Sequence, residues 1–314
     1  MIDDKKYVKI VSSSNSASSA TTTETSIINQ DITVTANGVY QAESGYTGLG
    51  IVTVAVPEPT RFNLTVGQLG GEINAQGELE YVGTCTPTFS GITSIGANIL
   101  NYKFFNRTDI VGNIDFSDLT TVGARALYYT FSGCTGITGA DFSKLSSLDA
   151  SSLYFTFQDC TGLTSADITS IKNVSDRGLS NTFNGCTNLV NVDVSNIESI
   201  ANPYGMYQTF SGCRSLTVLR FTKLSVLTGN LALNSCCYNC SNLTDVYFNA
   251  LTSSSFGTNN NQFKTFIGGV TGCTLHFPSN LDPESGSTTI SGLNGYPLFG
   301  GTNTVLAFDL PATE

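Results

Sequence analysis

Four aspartates recur every 26 residues in the middle of the chain, each two residues before a serine or threonine. They are Asp115, Asp141, Asp167 and Asp193. Carboxylates and hydroxyls can bind a hard cation, hydrogen-bond a glycan, or work as an acid–base pair on a glycosidic bond. Because all four aspartates occupy the same repeat position, nothing separates an acid from a base, and we expect no catalysis.

The same repeat position changes its chemistry further along the chain. It is occupied there by Arg220, Tyr247 and His276. His276 lies in the segment TLHFP with no serine or cysteine in a nucleophile-like turn nearby, so we expect a surface or packing role for it. The seven positions together predict a concave binding stripe, acidic at one end and basic or aromatic at the other, which suits a glycan or a cationic surface.

Two other interpretations of the aspartate column stay open. Adjacent carboxylates about 4.8 Å apart would repel by roughly 0.8 kcal/mol even in a water-like dielectric. Hydroxyls and turn amides could offset this cost, which would make the column an inert polar ladder. A row of calcium ions could also offset it, although the usual calcium-loop spacing is absent. With one histidine and no second CxxC motif, the sequence predicts no zinc site and no cofactor.

The elements that would position these residues are repeats of 26–27 residues. The segment TFSGCTGITGADFSKL starts at Thr130, and close variants start at Thr156, Thr182 and Thr209. A unit this short cannot bury its own apolar face, so we expect the units to stack around one continuous core. The aligned positions of the TF motif are Phe104, Phe131, Phe157, Phe183, Phe210, Cys237 and Phe266.

Cysteine follows the same interval, at Cys134, Cys160, Cys186, Cys213 and Cys240. One cysteine per repeat predicts a column of small buried apolar thiols rather than a disulfide framework. Aliphatic residues alternate with the aspartates, as in Ala166, Asp167 and Ile168, which is typical of a short strand. The fold class expected is therefore mainly β, a solenoid with one short parallel strand per coil, a small N-terminal β-module and caps.

The pattern F-x-G-C-x-x-[LI]-x-x-[VA]-D-[VIF]-[ST] resembles the leucine-rich repeats of the BspA-like surface proteins. Those proteins are bacterial and protist adhesins whose repeats also carry a Phe, a Cys and an aspartate-containing strand. The resemblance covers residues 100–278. It implies a leucine-rich-repeat fold and binding to a ligand or a surface, without indicating which ligand.

The segments outside the repeats complete five predicted parts of the chain. Residues 1–30 form a Ser/Thr-rich tether, 31–57 a small β-module, and 58–99 a further β-unit or a cap. Residues 100–278 are the solenoid, and 279–314 close it with a C-terminal cap. The segment 31–57 resembles a short module of tail and other virion proteins of gut bacteriophages, which implies that the N-terminal region attaches to a particle.

Net charge and hydropathy limit which classes of partner and which locations we expect for this protein. A net charge of −10 argues against nucleic acid, because phosphate binding needs Lys and Arg. The sequence contains no run of 18 apolar residues, so it predicts no membrane span. The first residues lack the apolar region of a signal peptide. These features favour a virion protein released with the particle.

The function expected from the sequence is therefore a non-enzymatic tail or head fibre, or an appendage, of a bacteriophage. Its N-terminal part would contact other virion proteins, and its repeats would bind a bacterial surface protein or glycan. The alternatives are a BspA-like adhesin on the bacterial cell surface and a virion decoration protein with a purely structural role. A trimer is expected only by analogy with phage fibres.

Overall fold

The structure is a computed structural model that describes residues 92–256, 261–282 and 299–312 with their side chains, together with Pro87, Phe89 and Ile290. Between residues 31 and 83 it describes strand backbone alone. These strands are β1 (Asp31–Val34), β2 (Gly38–Val39), β3 (Thr53–Val54), β4 (Phe62–Thr65), β5 (Leu69–Ile73) and β6 (Leu79–Gly83). They form three antiparallel pairs, β1 with β4, β2 with β3, and β5 with β6. The predicted tether, residues 1–30, lies outside the described residues.

From residue 92 onward the chain forms a solenoid of about seven turns with parallel strands and almost no helix. This confirms the predicted fold class. The strands are β7 (Ser94–Ile95), β8 (Val111–Asp115), β9 (Thr121–Val122), β10 (Gly136–Asp141), β11 (Ser147–Leu148), β12 (Ser165–Asp167), β13 (Asn191–Val192), β14 (Val218–Phe221), β15 (Asp245–Phe248), β16 (Thr274–Pro278) and β17 (Val305–Leu310). Two short 3₁₀ helices follow β15 and β16, at Ser253–Ser255 and Ser279–Leu281.

One side of the solenoid, which we call the strand face, is formed by two parallel sheets. The first contains β8, β10, β12 and β13, and the second contains β14, β15, β16 and β17. No strand pairing joins β13 to β14 in the described part of the chain, so the ladder is interrupted there. Ala166 and Ile168 are buried while Asp167 points outward, as the alternation predicted. Strand β17 extends the second sheet beyond residue 278.

A second side carries only sparse parallel pairing. Strands β7, β9 and β11 form a three-stranded sheet in the first coils. The later coils continue this side through single bridges, from Asn173 to Ser199 and from Ser199 to Val226. Since β7 lies at residues 94–95, pairing within the solenoid begins before residue 100.

The third side, which we call the turn face, is a ribbon of tight turns at 97–107 and at the corresponding residues of each later coil. Alternate amides donate to the next coil; the Leu100 N–H, for example, donates to the Ala126 carbonyl. The intervening amides close turns within the coil, as Lys103 N–H does onto Leu100. Every fourth residue adopts a left-handed backbone, with φ of 56° at Tyr102 and 52° at Tyr129. The coils are therefore joined at short intervals along this side.

The core between these sides is a column of stacked phenylalanines, in the register that the repeats predicted. Ring centroids of Phe104 and Phe131 are 5.1 Å apart, and those of Phe131 and Phe157 are 5.4 Å apart. Phe183 and Phe210 continue the column at 6.0 and 5.8 Å. Each coil thus buries its aromatic face only against its neighbours, which is the physical reason for the repetition.

Fully buried hydroxyls and thiols hold the coils together from inside. The Thr182 hydroxyl donates to the Leu153 carbonyl of the preceding coil at 2.9 Å, and Thr130, Thr156 and Thr209 make the equivalent bond. The Cys186 thiol donates likewise to the Phe157 carbonyl at 3.0 Å. The predicted column of apolar thiols therefore needs a correction, because these cysteines act as hydrogen-bond donors to carbonyls that point into the core. The eight described cysteines are buried and free of disulfides.

Candidate functional site

The four aspartates form one column on the strand face. Asp115, Asp141 and Asp167 are direct partners in the ladder of β8, β10 and β12, and Asp193 follows immediately after β13. All four are partly or fully exposed to solvent. The structure therefore brings together the acidic half of the predicted stripe.

Each of these carboxylates accepts a hydrogen bond from the backbone two residues further along the chain. The Ser143 N–H reaches Asp141 Oδ1 at 2.9 Å, and the Thr169 N–H reaches Asp167 Oδ1 at 3.0 Å. Equivalent bonds join Ser117 to Asp115 and Ser195 to Asp193. Such a local turn ends the strand and fixes the carboxylate without help from its neighbours. It is the turn-amide contact that the polar-ladder interpretation predicts.

An open groove of about 540 Å³ lies over the middle of this column. Its lining is polar apart from two valines and two alanines: Asn113, Ala140, Asp141, Ser165, Ala166, Asp167, Thr169, Val190, Asn191, Val192 and Asp193. Gly139 pairs with Asn113 and Ser165 of this lining, and a side chain there would clash with Asn113, since a Cβ would lie 2.4 Å from Asn113 Oδ1. Val190 forms an apolar edge and is 50% exposed. The groove ends at β13, where the sheet is interrupted.

The basic and aromatic half of the stripe is a stack of flat groups. Arg220, Tyr247 and His276 are partners in the ladder of β14, β15 and β16. The Arg220 guanidinium lies over the Tyr247 ring, 4.3 Å from its centroid. The Tyr247 and His276 rings are 4.2 Å apart and nearly parallel, at 6°. A cation over an aromatic face is attracted by the negative charge of that face, which stabilises this order of groups.

His276 lies between two carboxylates that sequence reasoning did not identify. Its Nδ1 is 2.9 Å from Asp309 on β17, and its Nε2 is 3.0 Å from Asp245 on β15. Burial alone would lower the pKa of His276, but the hydrogen bonds to Asp245 and Asp309 outweigh it and raise that pKa. The same contact with His276, followed by a bond from Thr244, lowers the pKa of Asp245. Both ring nitrogens act as donors when the imidazole is protonated.

The geometry suits binding better than proton transfer. A general base needs a free nitrogen or oxygen directed at a substrate, whereas both nitrogens of His276 face carboxylates. The four aspartates share one environment, so none is set apart as an acid. Within the described residues, no group of three or more His, Cys, Asp or Glu side chains is arranged to hold a metal ion. None of the described helices could span a membrane.

One of the two additional carboxylates could have been found from the sequence. Asp245 stands two residues before Tyr247, so the period of two places it on the same outward face. Asp309 could not be found in this way, because it lies 33 residues beyond His276 in a segment assigned to a cap. Its position depends on β17 joining the sheet.

No family model matches the chain, and no curated protein matches it. Among solved structures, the chain is similar to a leucine-rich cell surface protein from Faecalibacterium prausnitzii A2-165. The two are 12% identical, with a TM-score of 0.23, and the match covers 80% of this chain and 94% of that one. Similarity of this extent bears on neither ligand nor partner. The leucine-rich-repeat type of the fold rests on the repeats and the strand register.

Proposed function

We propose that this chain is a non-enzymatic recognition protein whose strand face binds a protein or glycan of a bacterial surface. The groove over β10, β12 and β13 is the observation that supports this most directly. In the described structure only Oδ1 of Asp141, Asp167 and Asp193 accepts a hydrogen bond, which leaves each Oδ2 available to a ligand. Hydroxyl or ammonium groups of a ligand would donate to these oxygens.

The second half of the strand face would contribute contacts of the opposite kind. Arg220 is exposed, and its guanidinium carbon lies over the Tyr247 ring. A guanidinium offers five donors in a fixed plane, so it favours acceptor groups such as carboxylate or sulfate. A ligand long enough to span both halves would therefore place donors over the aspartates and acceptors near Arg220.

We place this role on the bacterial cell surface, which is what the BspA-like repeat pattern implies. The virion role rests on residues 31–57, where the structure describes the backbone of three short strands and no side chains. Attachment of the N-terminal region to a particle stays a prediction. Antibody labelling of intact cells, set against labelling of purified phage particles from the same culture, separates the two locations.

Binding of the fluorescently labelled full chain to a panel of bacterial cells tests the recognition role. We expect saturable binding to some strains, weakened at least tenfold by the double variant Asp167→Asn/Asp193→Asn. The matched control is Asp149→Asn/Glu198→Gln, which removes the same charge from residues away from the groove and should leave binding unchanged.

Two outcomes would contradict the proposal. If the control variant weakens binding as much as the groove variant, net charge rather than the strand face governs attachment. If no strain binds the wild-type chain saturably, the purely structural role becomes the better explanation of the repeats.

A further inference from the structure

Six aromatic side chains lie together on the turn face of the first three coils, away from the groove. We call them the aromatic cluster: Tyr102, Phe105, Tyr128, Tyr129, Tyr154 and Phe155. Tyr102 is 48% exposed and Phe105 is 41% exposed, and the other four are half-buried. Clustered exposed rings differ from the single exposed apolar residues that any surface carries.

The cluster is built around a column of three parallel rings. Tyr102 and Tyr129 are 4.9 Å apart at 6°, and Tyr129 and Phe155 are 4.3 Å apart at 15°. Tyr128 meets Tyr102 edge-on at 5.4 Å from one coil further along, and Phe105 meets it edge-on at 5.6 Å. The result is a strip of aromatic surface that runs across successive coils.

The cluster is not required to fill the interior or to shape the backbone. The core column of Phe104, Phe131 and Phe157 already occupies the interior, with exposures of 5% or less. At the position of Tyr102 and Tyr129, later coils carry Asn181 and Gln208 with the same left-handed φ, 54° and 52°. The column position of Tyr102 and Tyr129 therefore holds a ring only in the first three coils, although single tyrosines such as Tyr207 recur on the turn face of later coils and the backbone is shared.

Size and composition favour a carbohydrate over a protein as the partner. Six rings of about 150–250 Å² each, less than half exposed, offer on the order of 500 Å², below the roughly 800 Å² per partner of a stable protein interface. Four of the six are tyrosines, so the cluster carries hydroxyl groups as well as apolar ring faces. Rings with hydroxyls can contact both the C–H face and the hydroxyls of a sugar.

Charge and protonation agree with this choice. Lys103 and Arg125 are exposed beside the cluster, so an acidic sugar would meet local positive charge on a chain of net charge −10. Burial, followed by the nearby Tyr128, Tyr102 and Tyr154, raises the pKa of Tyr129 to about 12. A tyrosine hydroxyl is in any case protonated at physiological pH, so it can donate a hydrogen bond to a sugar.

We propose that the aromatic cluster is a second binding site, independent of the strand face, and that it binds a polysaccharide. The sugar chain lies along the ring column, across coils one to three. Binding there requires no change in the groove, so the two sites can hold different parts of one surface or two different ligands.

Affinity electrophoresis of the full chain tests this site, in gels that contain a soluble β-glucan, a mannan, a dextran or a polygalacturonate. We expect at least one polysaccharide to retard the wild-type chain, and Tyr102→Ala/Phe105→Ala to weaken that binding at least tenfold. Tyr238→Ala is the matched control, because Tyr238 is 40% exposed on the turn face of a later coil, outside the cluster. Thermal unfolding monitored by circular dichroism establishes that all variants fold.

The proposal fails if none of the four polysaccharides retards the wild-type chain, or if Tyr238→Ala loses as much binding as the cluster variant. It also fails if sedimentation shows a wild-type dimer that Tyr102→Ala/Phe105→Ala converts to monomer, since the cluster would then be a contact between copies. The groove variant Asp167→Asn/Asp193→Asn should bind the polysaccharide normally. That variant separates this site from the strand-face proposal, so either can fail alone.

Discussion

Every coil contributes to both the turn face and the strand face of the solenoid, but the hydrogen bonds that connect neighbouring coils differ between the two faces. On the turn face, alternate amides bond to the next coil, and buried hydroxyls and thiols add bonds from inside. On the strand face the strands are two to six residues long, and the ladder is interrupted between β13 and β14. The aspartates there are fixed by amides of their own coil.

This difference indicates that the two faces have different roles, one in stability and the other in surface chemistry. Bonds from coil to coil are closely spaced along the turn face, so we expect its buried positions to tolerate little change. The outward positions of the strand face depend on local turns, so their chemistry can vary from coil to coil. The change from four aspartates to Arg220, Tyr247 and His276 within one column is an example.

The largest loss of folding stability is expected from a substitution at a turn-face position that has no room for a side chain. Gly185 has φ +76°, and a Cβ there would lie 2.1 Å from Asp159 Oδ1 of the preceding coil. Gly185→Ala should cost about 1–2 kcal/mol for the left-handed backbone and more for displacing Asp159. Urea unfolding followed by circular dichroism measures the loss.

Gly212→Ala is the matched control for this prediction. Gly212 has the same φ, but a Cβ there would meet only Gly185 atoms, at 3.5 and 3.6 Å. We expect a smaller loss than at Gly185, and partial recovery of Gly185→Ala by Asp159→Gly. Equal losses at the two glycines would show that contact with Asp159 is not the cause.

Removing one buried hydroxyl should cause the next largest loss of folding stability. Thr182→Val keeps the side-chain shape but deletes the bond to the Leu153 carbonyl, so we expect a loss of about 1–2 kcal/mol. Thr187→Val, at a half-buried threonine outside the internal column, should change the unfolding midpoint little. A negligible loss for Thr182→Val would contradict the idea that buried donors stabilise the turn face.

On the strand face, one aspartate can be changed in two ways that separate the local turn from the charge. Asp167→Asn keeps an oxygen for the Thr169 amide and removes one repelling charge, so its stability should be unchanged or higher by up to about 0.8 kcal/mol. Asp167→Ala loses the turn bond and should cost about 1 kcal/mol. If both variants are equally destabilised, the carboxylate is held by something other than this bond.

The smallest expected effect is a pH dependence in the second half of the strand face. Because the pKa of His276 is raised in the folded chain, its contribution is complete below its unfolded value, near 6.5, and is lost as pH rises through the folded value. The contribution should be about 1 kcal/mol or less, since Asp309 is largely exposed. The low pKa of Asp245 adds stability that disappears only as strongly acidic pH is approached.

Thermal unfolding of the wild type and of Asp309→Asn between pH 5 and 9 isolates this contribution. The two chains should differ most at pH 5–6 and converge toward pH 9, because neutral His276 no longer attracts Asp309. A difference that is constant with pH would mean that the contact does not depend on the charge of His276.

The repeat interval and the outward column could be predicted from the sequence because each depends on a regular period. Phe131 and Phe157, or Asp141 and Asp167, occupy identical places in similar segments, and stacking alone brings them together. The interruption after β13 could not be predicted in this way, because the change from Asp193 to Arg220 at that place alters a side chain and does not by itself indicate a loss of strand pairing. The contact between His276 and Asp309 could not be predicted either, because it joins residues of two unlike segments.

The turn face was the least predictable part of the molecule. Some of its left-handed positions hold Asn or Asp, which favour such a backbone, but others hold Tyr102, Arg125 and Leu231, which do not usually signal it. The bonds from coil to coil impose it, and they exist only once the coils have stacked. The aromatic cluster depends on that stacking too, since Tyr102, Tyr129 and Phe155 are 26–27 residues apart in sequence.

The internal thiol column also bears on how the molecule responds to oxidants. Burial raises the pKa of the Cys160, Cys186 and Cys213 thiols well above the ordinary value. Oxidation and disulfide exchange proceed through the thiolate, and these sulfurs are both protonated and inaccessible. The solenoid should therefore keep the same covalent structure in reducing and oxidising surroundings, and alkylating reagents should modify its thiols only after it unfolds.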